Sequence, residues 1–152
     1  MKNNYDKAEE RERRFIDWYI NTKQEHKIDT ISPIGSYNRN DFTFYSGRTF
    51  IIAEVKIREF EYDKYPTIIL ESSKVDALLE NFSDEIINQS AKIYYYAVYP
   101  KSKKILVFDL LKTPHTKTIE HCPVSTMDPT KGHKRKIMNN YKITDSIINI
   151  NI

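Results

Sequence analysis

The sequence predicts an α/β (α+β) fold in which a mixed β-sheet is flanked by helices. An amphipathic helical pattern opens the chain, runs of β-branched and aromatic residues follow, and a second helical pattern separates the earlier strands from the later ones. The predicted element order is αβββαβ with extra strands towards the C-terminal end. At 152 residues, we expect one domain spanning residues 1–152, because domain sizes cluster near 100–150 residues.

The first helix is predicted from Tyr5 to about Lys23, where apolar residues recur at helical spacing on one face and charged residues occupy much of the other. Two strands follow further along the chain. Asp41 to Tyr45 alternates and is rich in aromatic and β-branched residues, and Arg48 to Ile57 is largely apolar. Because Ser46-Gly47 supplies a turn between them, the two strands are expected to pair as an antiparallel hairpin.

The later elements follow from similar signals. A short strand is predicted from Thr67 to Leu70, and then a helix that Ser72 or Ser73 caps and that runs to about Phe82. Two strands, Ala91–Tyr99 and Lys104–Leu111, are predicted to form a second hairpin. Segment Thr113–Gly132 holds three of the six prolines and is predicted to be irregular. A final edge strand is predicted from Tyr141 to Ile152.

Composition narrows the class of protein. The chain is 39% hydrophobic, 12% aromatic and 30% charged, which is typical of a globular rather than a disordered protein. A single cysteine excludes an internal disulfide. The charged N-terminus lacks the apolar stretch of a secretory signal, and no apolar run is long enough to cross a bilayer. We therefore expect a cytoplasmic protein with no membrane partner.

The segment TFIIAEVKI places two charged residues in an otherwise apolar strand. Residues two apart in a strand point to the same face, so Glu54 and Lys56 project together. Asp41 lies at the start of the partner strand, and its carboxylate reaches that of Glu54 if the hairpin has a suitable register or if the strands diverge there. Two carboxylates and the backbone carbonyl of Val55 are hard oxygen ligands that suit Mg²⁺. A neighbouring lysine can position or activate an attacking water, or stabilise charge that grows on a phosphate.

Asp41, twelve further residues and then Glu54-Val55-Lys56 together resemble the motif of the PD-(D/E)XK nuclease superfamily. The resemblance extends from about Ala8 to Leu111. It implies a restriction-endonuclease-like core and a Mg²⁺-dependent nuclease, with Mn²⁺ expected to substitute. In that reading Asp41, Glu54 and the Val55 carbonyl bind the metal, and Lys56 acts on the attacking water.

The resemblance also implies accessory residues. Many members of the superfamily add a glutamate from the first helix, for which Glu12 is the first candidate and Glu9 the second. Some members carry a lysine at the start of the crossover helix, which matches Lys74. DNA is the expected substrate, with cleavage inside the strand, and RNA is the weaker option. The resemblance is also compatible with a homodimer and with a phage or mobile-element origin.

Basic side chains outside the motif are candidates for contacts with the nucleic-acid backbone. Arg58 lies two residues beyond Lys56, although a salt bridge to Glu59 or Glu61 explains it equally well. The segment KGHKRK holds four basic residues and no acid, including Lys134 and Arg135. By itself such a run favours a solvated loop.

Two alternatives to a nuclease remain open at this point. Glu54 and Lys56 can form a solvent-facing ion pair on an exposed strand, which is common and contributes less than about 1 kcal/mol. The apolar run Phe50–Ala53 argues against this, because it indicates burial on both faces. The second alternative is a non-catalytic module on the same fold that binds nucleic acid or another protein. It predicts no metal at Asp41 and Glu54.

Overall fold

The computed structural model describes residues 4–22, 27–31, 40–124 and 129–151. Within these ranges the helices are α1 (Asn4–Thr22), α2 (Ser72–Asn81) and α3 (Ser83–Gln89). The strands are β1 (Lys27–Ile31), β2 (Phe42–Ser46), β3 (Thr49–Ile57), β4 (Thr67–Glu71), β5 (Lys92–Tyr99), β6 (Lys104–Asp109), β7 (Thr116–Pro123), β8 (His133–Lys142) and β9 (Ile148–Asn151). Short 3₁₀ turns cover Pro129–Lys131 and Ile143–Asp145.

The larger sheet has six strands in the order β1-β2-β3-β5-β6-β9. Strand β3 lies inside it, antiparallel to β2 and parallel to β5. The predicted β2–β3 hairpin is confirmed, and Gly47 in its turn has a φ of +62°, a left-handed value that glycine adopts without strain. The β5–β6 hairpin is confirmed as well.

Each face of the larger sheet covers its own apolar core. On one face Ala53 and Val55 of β3 pack with Phe15 and Tyr19 of α1. On the other face Ile52 packs with residues of α2 and of the smaller sheet. Because side chains alternate along a strand, Glu54 and Lys56 share the face of Ile52. The predicted burial on both sides of β3 is therefore confirmed.

The smaller sheet is antiparallel and has the order β4-β8-β7. Strand β4 was expected in the same sheet as β2 and β3, but it pairs with β8 instead. The prediction of an irregular segment from Thr113 to Gly132 is wrong for its described part, because β7 occupies Thr116–Pro123. The prolines Pro114 and Pro123 lie before and at the end of β7, where proline does not interrupt the ladder of hydrogen bonds.

Four other elements differ from the sequence-based expectation. Strand β1 occupies a segment whose polar residues predicted no strand. Helix α3 follows α2 after Phe82. Neither Ser72 nor Ser73 caps α2, since Glu71 holds the cap position and the Ser72 hydroxyl donates to Asn139 Oδ1 at 2.5 Å. The final edge strand is β9 alone, because Tyr141 belongs to β8.

Helix α1 is 19 residues long and packs one face on the larger sheet. Its predicted end at Lys23 lies outside the described residues. No helix in the described ranges combines the length and the apolar character needed to cross a membrane.

Candidate active site

Glu54 lies in the middle of β3 and is almost completely buried, with 2% of the residue exposed. Its partner across the parallel β3–β5 ladder is Tyr95, which is also buried. Buried carboxylates are rare in proteins unless a partner compensates their charge. The position therefore needs a specific explanation, which the neighbouring side chains provide.

Asp41 is held beside Glu54 by the backbone of β3. The Asp41 amide donates to the Ala53 carbonyl at 2.9 Å, and the Val55 amide donates to Asp41 Oδ2 at 2.6 Å. These bonds attach Asp41 to the residues immediately before and after Glu54. The structure thus brings together the two carboxylates that the sequence predicted as a pair. A carboxylate accepts several hydrogen bonds or metal contacts, so Asp41 keeps acceptor capacity beyond its bond to Val55.

Burial, and after it the neighbouring charge of Asp41, raises the pKa of Glu54, which is about 7 once all neighbouring charges are included. Lys74 and Lys56 lower the pKa but do not outweigh these two effects. The described groups therefore supply less positive charge than two ionised carboxylates at this position require. A bound cation would correct that deficit.

Two lysines approach the same oxygen of Glu54. Lys74, near the start of α2, forms an ion pair with Glu54 Oε1, and Lys56 Nζ lies 3.7 Å from that oxygen. Strand β4 runs directly into α2, which carries Lys74 across to the face of β3 that holds Glu54. About a third of each lysine side chain is exposed, so both ammonium groups remain accessible to a substrate.

Burial lowers the pKa of Lys56, but the carboxylates of Glu54, Glu12 and Asp41 raise it, and the net shift is upwards. Lys56 is therefore a cation at neutral pH. Glu12, the first candidate on α1, is half-buried and lies near enough for its charge to raise the pKa of Lys56. The side chain of Glu9, the second candidate on this helix, lies outside the described residues.

The donor set suits a small, hard cation. Asp41, Glu54 and the Val55 carbonyl offer only oxygen, and Mg²⁺ needs few protein oxygens because it retains several waters. In the described part of the chain no three His, Cys, Asp or Glu side chains are grouped closely enough to hold a metal by themselves. A metal at Asp41 and Glu54 would therefore depend on backbone, water or substrate oxygens for the rest of its coordination.

Arg58 follows β3 and is half-buried. Its Nη2 donates to the Ile69 carbonyl and to the Tyr95 hydroxyl, both at 2.8 Å. The sequence suggested a DNA contact or a salt bridge to Glu59 or Glu61. In the structure Arg58 connects the end of β3 to β4 and β5, and Glu59 forms an ion pair with Arg11.

Lys134 and Arg135 are exposed on β8, so the basic run belongs to a strand and not to a loop. They line a groove of about 330 Å³ with Lys117 of β7 and Ser73 of α2, and the acids Glu71 and Asp76 also line it. Helix α2 thus contributes to this groove and also carries Lys74 of the Glu54 site. The sequence did not predict that β7 contributes to this groove, because the prolines around β7 predict an irregular segment.

The sequence analysis also did not predict a second cleft, which lies beside the segment that follows β3. Segment 58–66 and the end of β5 contribute four aromatic residues to its lining, and β4, β7 and β8 contribute the other side. The aromatic spacing in the sequence FEYDKY, residues 60–65, is the signal that was available.

No protein-family model and no curated protein matches the sequence. Among solved structures, the chain is similar to Hjc, a Holliday junction resolvase from the archaeal hyperthermophile Archaeoglobus fulgidus. The two structures align with a TM-score of 0.55 and 15% sequence identity, over 91% of this chain and 93% of Hjc. The resemblance predicted from the sequence is thereby confirmed at the level of the fold. The chain has the restriction-endonuclease-like fold that the sequence predicted, a mixed sheet flanked by helices.

Proposed function

We propose that this protein is a metal-dependent nuclease that hydrolyses phosphodiester bonds of DNA, acting as an endonuclease. The observation that carries the proposal is the buried Glu54 carboxylate, flanked by Asp41 and contacted by two lysines. That arrangement stands on the strand pair where PD-(D/E)XK nucleases carry their motif. The fold shared with Hjc supports the proposal.

Asp41 and Glu54, together with the Val55 carbonyl, would hold Mg²⁺, and Mn²⁺ would substitute for it. When bound, the ion supplies positive charge for the scissile phosphate and lowers the pKa of an attacking water. The hydrogen bond from the Val55 amide fixes Asp41 in place before any ion arrives. Such preorganisation avoids a reorganisation cost at the moment of reaction.

Lys56 would position the attacking water and stabilise charge on the phosphate. Its raised pKa favours this role over that of a general base, because a protonated amine has no lone pair to accept a proton. Glu12 lies close enough to raise the pKa of Lys56. It would orient the Lys56 ammonium group or assist the attacking water. Lys74 would contact the phosphate from the other side of Glu54.

The groove that Lys134 and Arg135 line would contact the DNA backbone on either side of the cleaved bond. Lys134 and Arg135 project into solvent from β8, and phosphate contacts of this kind supply sequence-independent affinity. Because the solved relative is a Holliday junction resolvase, branched DNA is the first substrate to test. Enzymes that cut both strands at one site often act as dimers, so a homodimer on DNA is part of the proposal.

The proposal is tested by cleavage of supercoiled, linear, single-stranded and four-way-junction DNA in Mg²⁺, Mn²⁺ or EDTA. We expect cleavage with either metal and none with EDTA. Lys56→Ala and Asp41→Asn should each lose at least about 100-fold in rate, since both remove charge from the reacting centre. RNA of matched length, added as a competitor and as a substrate, checks the preference for DNA.

Two surface variants serve as matched controls. Lys112→Ala and Glu80→Gln change exposed residues of the same types away from β3, and we expect wild-type cleavage from both. Circular dichroism and thermal unfolding confirm that each variant is folded. Wild-type cleavage by folded Lys56→Ala and Asp41→Asn would contradict the proposal and favour a non-catalytic module.

A further inference from the structure

The segment 58–66, which follows β3, encloses a cleft against β4 and the end of β5. The cleft has a volume of about 410 Å³, within the range of small-ligand sites. Four aromatic residues line it: Phe60, Tyr62, Tyr65 and Tyr99. Nothing in the proposed phosphodiester chemistry uses these residues.

The aromatic rings form a connected wall. The ring of Phe60 lies 5.3 Å from that of Tyr65 and 6.1 Å from that of Tyr99, both in edge-to-face geometry. Phe60 packs on the core beside Tyr99, whereas half of Tyr65 is exposed. The wall therefore offers aromatic surface to solvent without leaving the core open.

Segment 58–66 is anchored at both of its sides. The Tyr62 amide donates to Ser102 Oγ at 3.0 Å, which ties the segment to the β5–β6 turn, and Ser102 also bonds Glu61. On the other side Glu59 pairs with Arg11 of α1. These contacts hold the aromatic wall in position before any ligand binds, which reduces the entropy lost on binding.

The polar residues that line the cleft are Arg58, Thr67, Tyr99, Glu120 and Asn140. Arg58 is fixed by its bonds to the Ile69 carbonyl and the Tyr95 hydroxyl. The Tyr99 hydroxyl is buried and has no hydrogen-bond partner in the described part of the chain. Burial raises the pKa of Tyr99 to about 12, so the hydroxyl keeps its proton at neutral pH. A buried O–H group without a partner is costly, and a ligand acceptor would satisfy it.

Two lysines lie over rings of the aromatic residues of the cleft and form a rim beside it. Lys64 Nζ lies 5.4 Å from the ring centre of Tyr65, and Lys104 Nζ lies 4.0 Å from that of Tyr62. A ligand with aromatic character and a negative backbone complements such a rim, because its rings face the wall and its phosphates face the lysines.

The cleft continues the row of side chains that carries the proposed catalytic groups. Glu54 pairs with Tyr95 across the ladder, and Tyr99 lies four residues further along β5, so it shares the same face. Arg58 is two residues beyond Lys56, about 7 Å along the chain at the usual rise of a strand. A nucleotide neighbouring the scissile phosphate therefore reaches the cleft.

We propose that this aromatic cleft receives an unpaired nucleobase of the DNA strand whose backbone lies at Glu54 and Lys56. This inference rests on the proposed function and specifies its substrate as DNA with unpaired nucleotides beside the cleavage site. The base stacks against Tyr65 and Phe60, and its polar edge accepts from Tyr99 and Arg58. A fully paired duplex keeps its bases stacked within the helix and leaves the cleft unused.

The test measures binding by fluorescence anisotropy without divalent metal, so it does not depend on cleavage. The probes are a labelled oligo(dT) strand, an abasic strand with the same number of phosphates, and a blunt duplex. Wild-type protein should bind oligo(dT) more tightly than the abasic strand. Tyr65→Ala should weaken binding of oligo(dT) about 5- to 100-fold, the range for one base stacked on an aromatic residue. Binding of the abasic strand and the duplex should change less than twofold.

Trp18→Ala is the matched control, because Trp18 is a partly exposed aromatic residue on α1, outside the cleft. It should leave all three affinities unchanged. Tyr99→Phe, which removes only the hydroxyl, should also weaken oligo(dT) binding selectively. Equal affinity of wild-type protein for oligo(dT) and the abasic strand would overturn the inference. An equal effect of Tyr65→Ala on all three probes would do the same. Failure of cleavage with base-dependent binding intact would instead contradict the proposed function.

Discussion

The ammonium group of Lys74 forms an ion pair with the same Glu54 oxygen that lies 3.7 Å from Lys56. The two lysines place positive charge beside the Glu54 carboxylate. A divalent ion at Asp41 and Glu54 would therefore compete with Lys74 for the carboxylate. Lys74 would then be free to contact a phosphate oxygen, so one side chain would serve in two states of the site.

Replacing Lys74 should separate metal binding from cleavage. Lys74→Met removes a positive charge beside the proposed metal and keeps most of the side-chain volume. We expect Mn²⁺ to bind several-fold more tightly, because like charges repel, and cleavage to slow at least about tenfold. Isothermal titration with Mn²⁺ and single-turnover cleavage measure the two effects. Weaker metal binding in this variant would contradict the competition.

The raised pKa of Glu54 predicts how stability depends on pH. In the unfolded chain this carboxyl titrates near 4.5, and in the folded protein at about 7. Between these values the folded state binds more protons, so the free energy of unfolding falls as pH rises, by about 3 kcal/mol in total. Urea unfolding in EDTA at pH 4.5 to 8 measures this change.

Glu54→Gln isolates that contribution from other titrating groups. The difference in unfolding free energy between the variant and wild type should grow in favour of the variant from pH 4.5 to 7 and then level off. Glu80→Gln, on the exposed side of α2, should show no such trend. A pH-independent difference for Glu54→Gln would indicate that Glu54 titrates normally.

Metal binding should appear as stabilisation of the folded protein. A ligand that binds only the folded state raises the melting temperature with its concentration. We expect millimolar Mn²⁺ or Mg²⁺ to raise the melting temperature of wild type at pH 8, where Glu54 is ionised, and to do so less at pH 6. Differential scanning fluorimetry of Asp41→Asn should show little shift at either pH. The same shift in Asp41→Asn and wild type would place the metal elsewhere.

Arg58 and Arg135 should differ in how much each contributes to stability. Arg58→Ala leaves the Ile69 carbonyl and the buried Tyr95 hydroxyl without their partner, so we expect about 2–3 kcal/mol of destabilisation. Arg135→Ala removes an exposed cation from the groove on β8, so we expect stability within about 0.5 kcal/mol of wild type. Its DNA binding should weaken, with a salt dependence smaller by about one phosphate contact. Chemical unfolding and anisotropy titrations at several salt concentrations measure both.

The sequence predicted the β2–β3 hairpin because its signals are local. The Gly47 turn, the alternation in β2 and the apolar run in β3 all act within a few residues of one another. Side chains alternate along a strand, so the sequence also predicted that Glu54 and Lys56 share one face of β3. The approach of Lys74 was predicted only through the resemblance to known nucleases.

The missed elements depend on distant partners. Strand β4 resembles any short apolar strand, and only its pairing with β8, far along the chain, assigns it to a second sheet. The three prolines of segment 113–132 suggested irregular structure, yet Thr116–Pro123 pairs with β8. Likewise Arg58 gave no signal that its partner is Tyr95, because nothing local to either residue specifies the other. Registers set by long-range contacts are not visible in local patterns.

The position of β3 inside the larger sheet has a consequence for the order in which the chain folds. Its hairpin with β2 closes a short loop, which takes microseconds in typical peptides, whereas its parallel pairing with β5 must wait until segment 58–91 has folded back. We therefore expect Asp41 and Glu54 to come together early, while water still surrounds them. We expect Glu54 to lose its hydration later, when β5 and α2 dock. We therefore expect Glu54→Gln to speed that docking step above pH 7, where the wild-type chain must desolvate a charge.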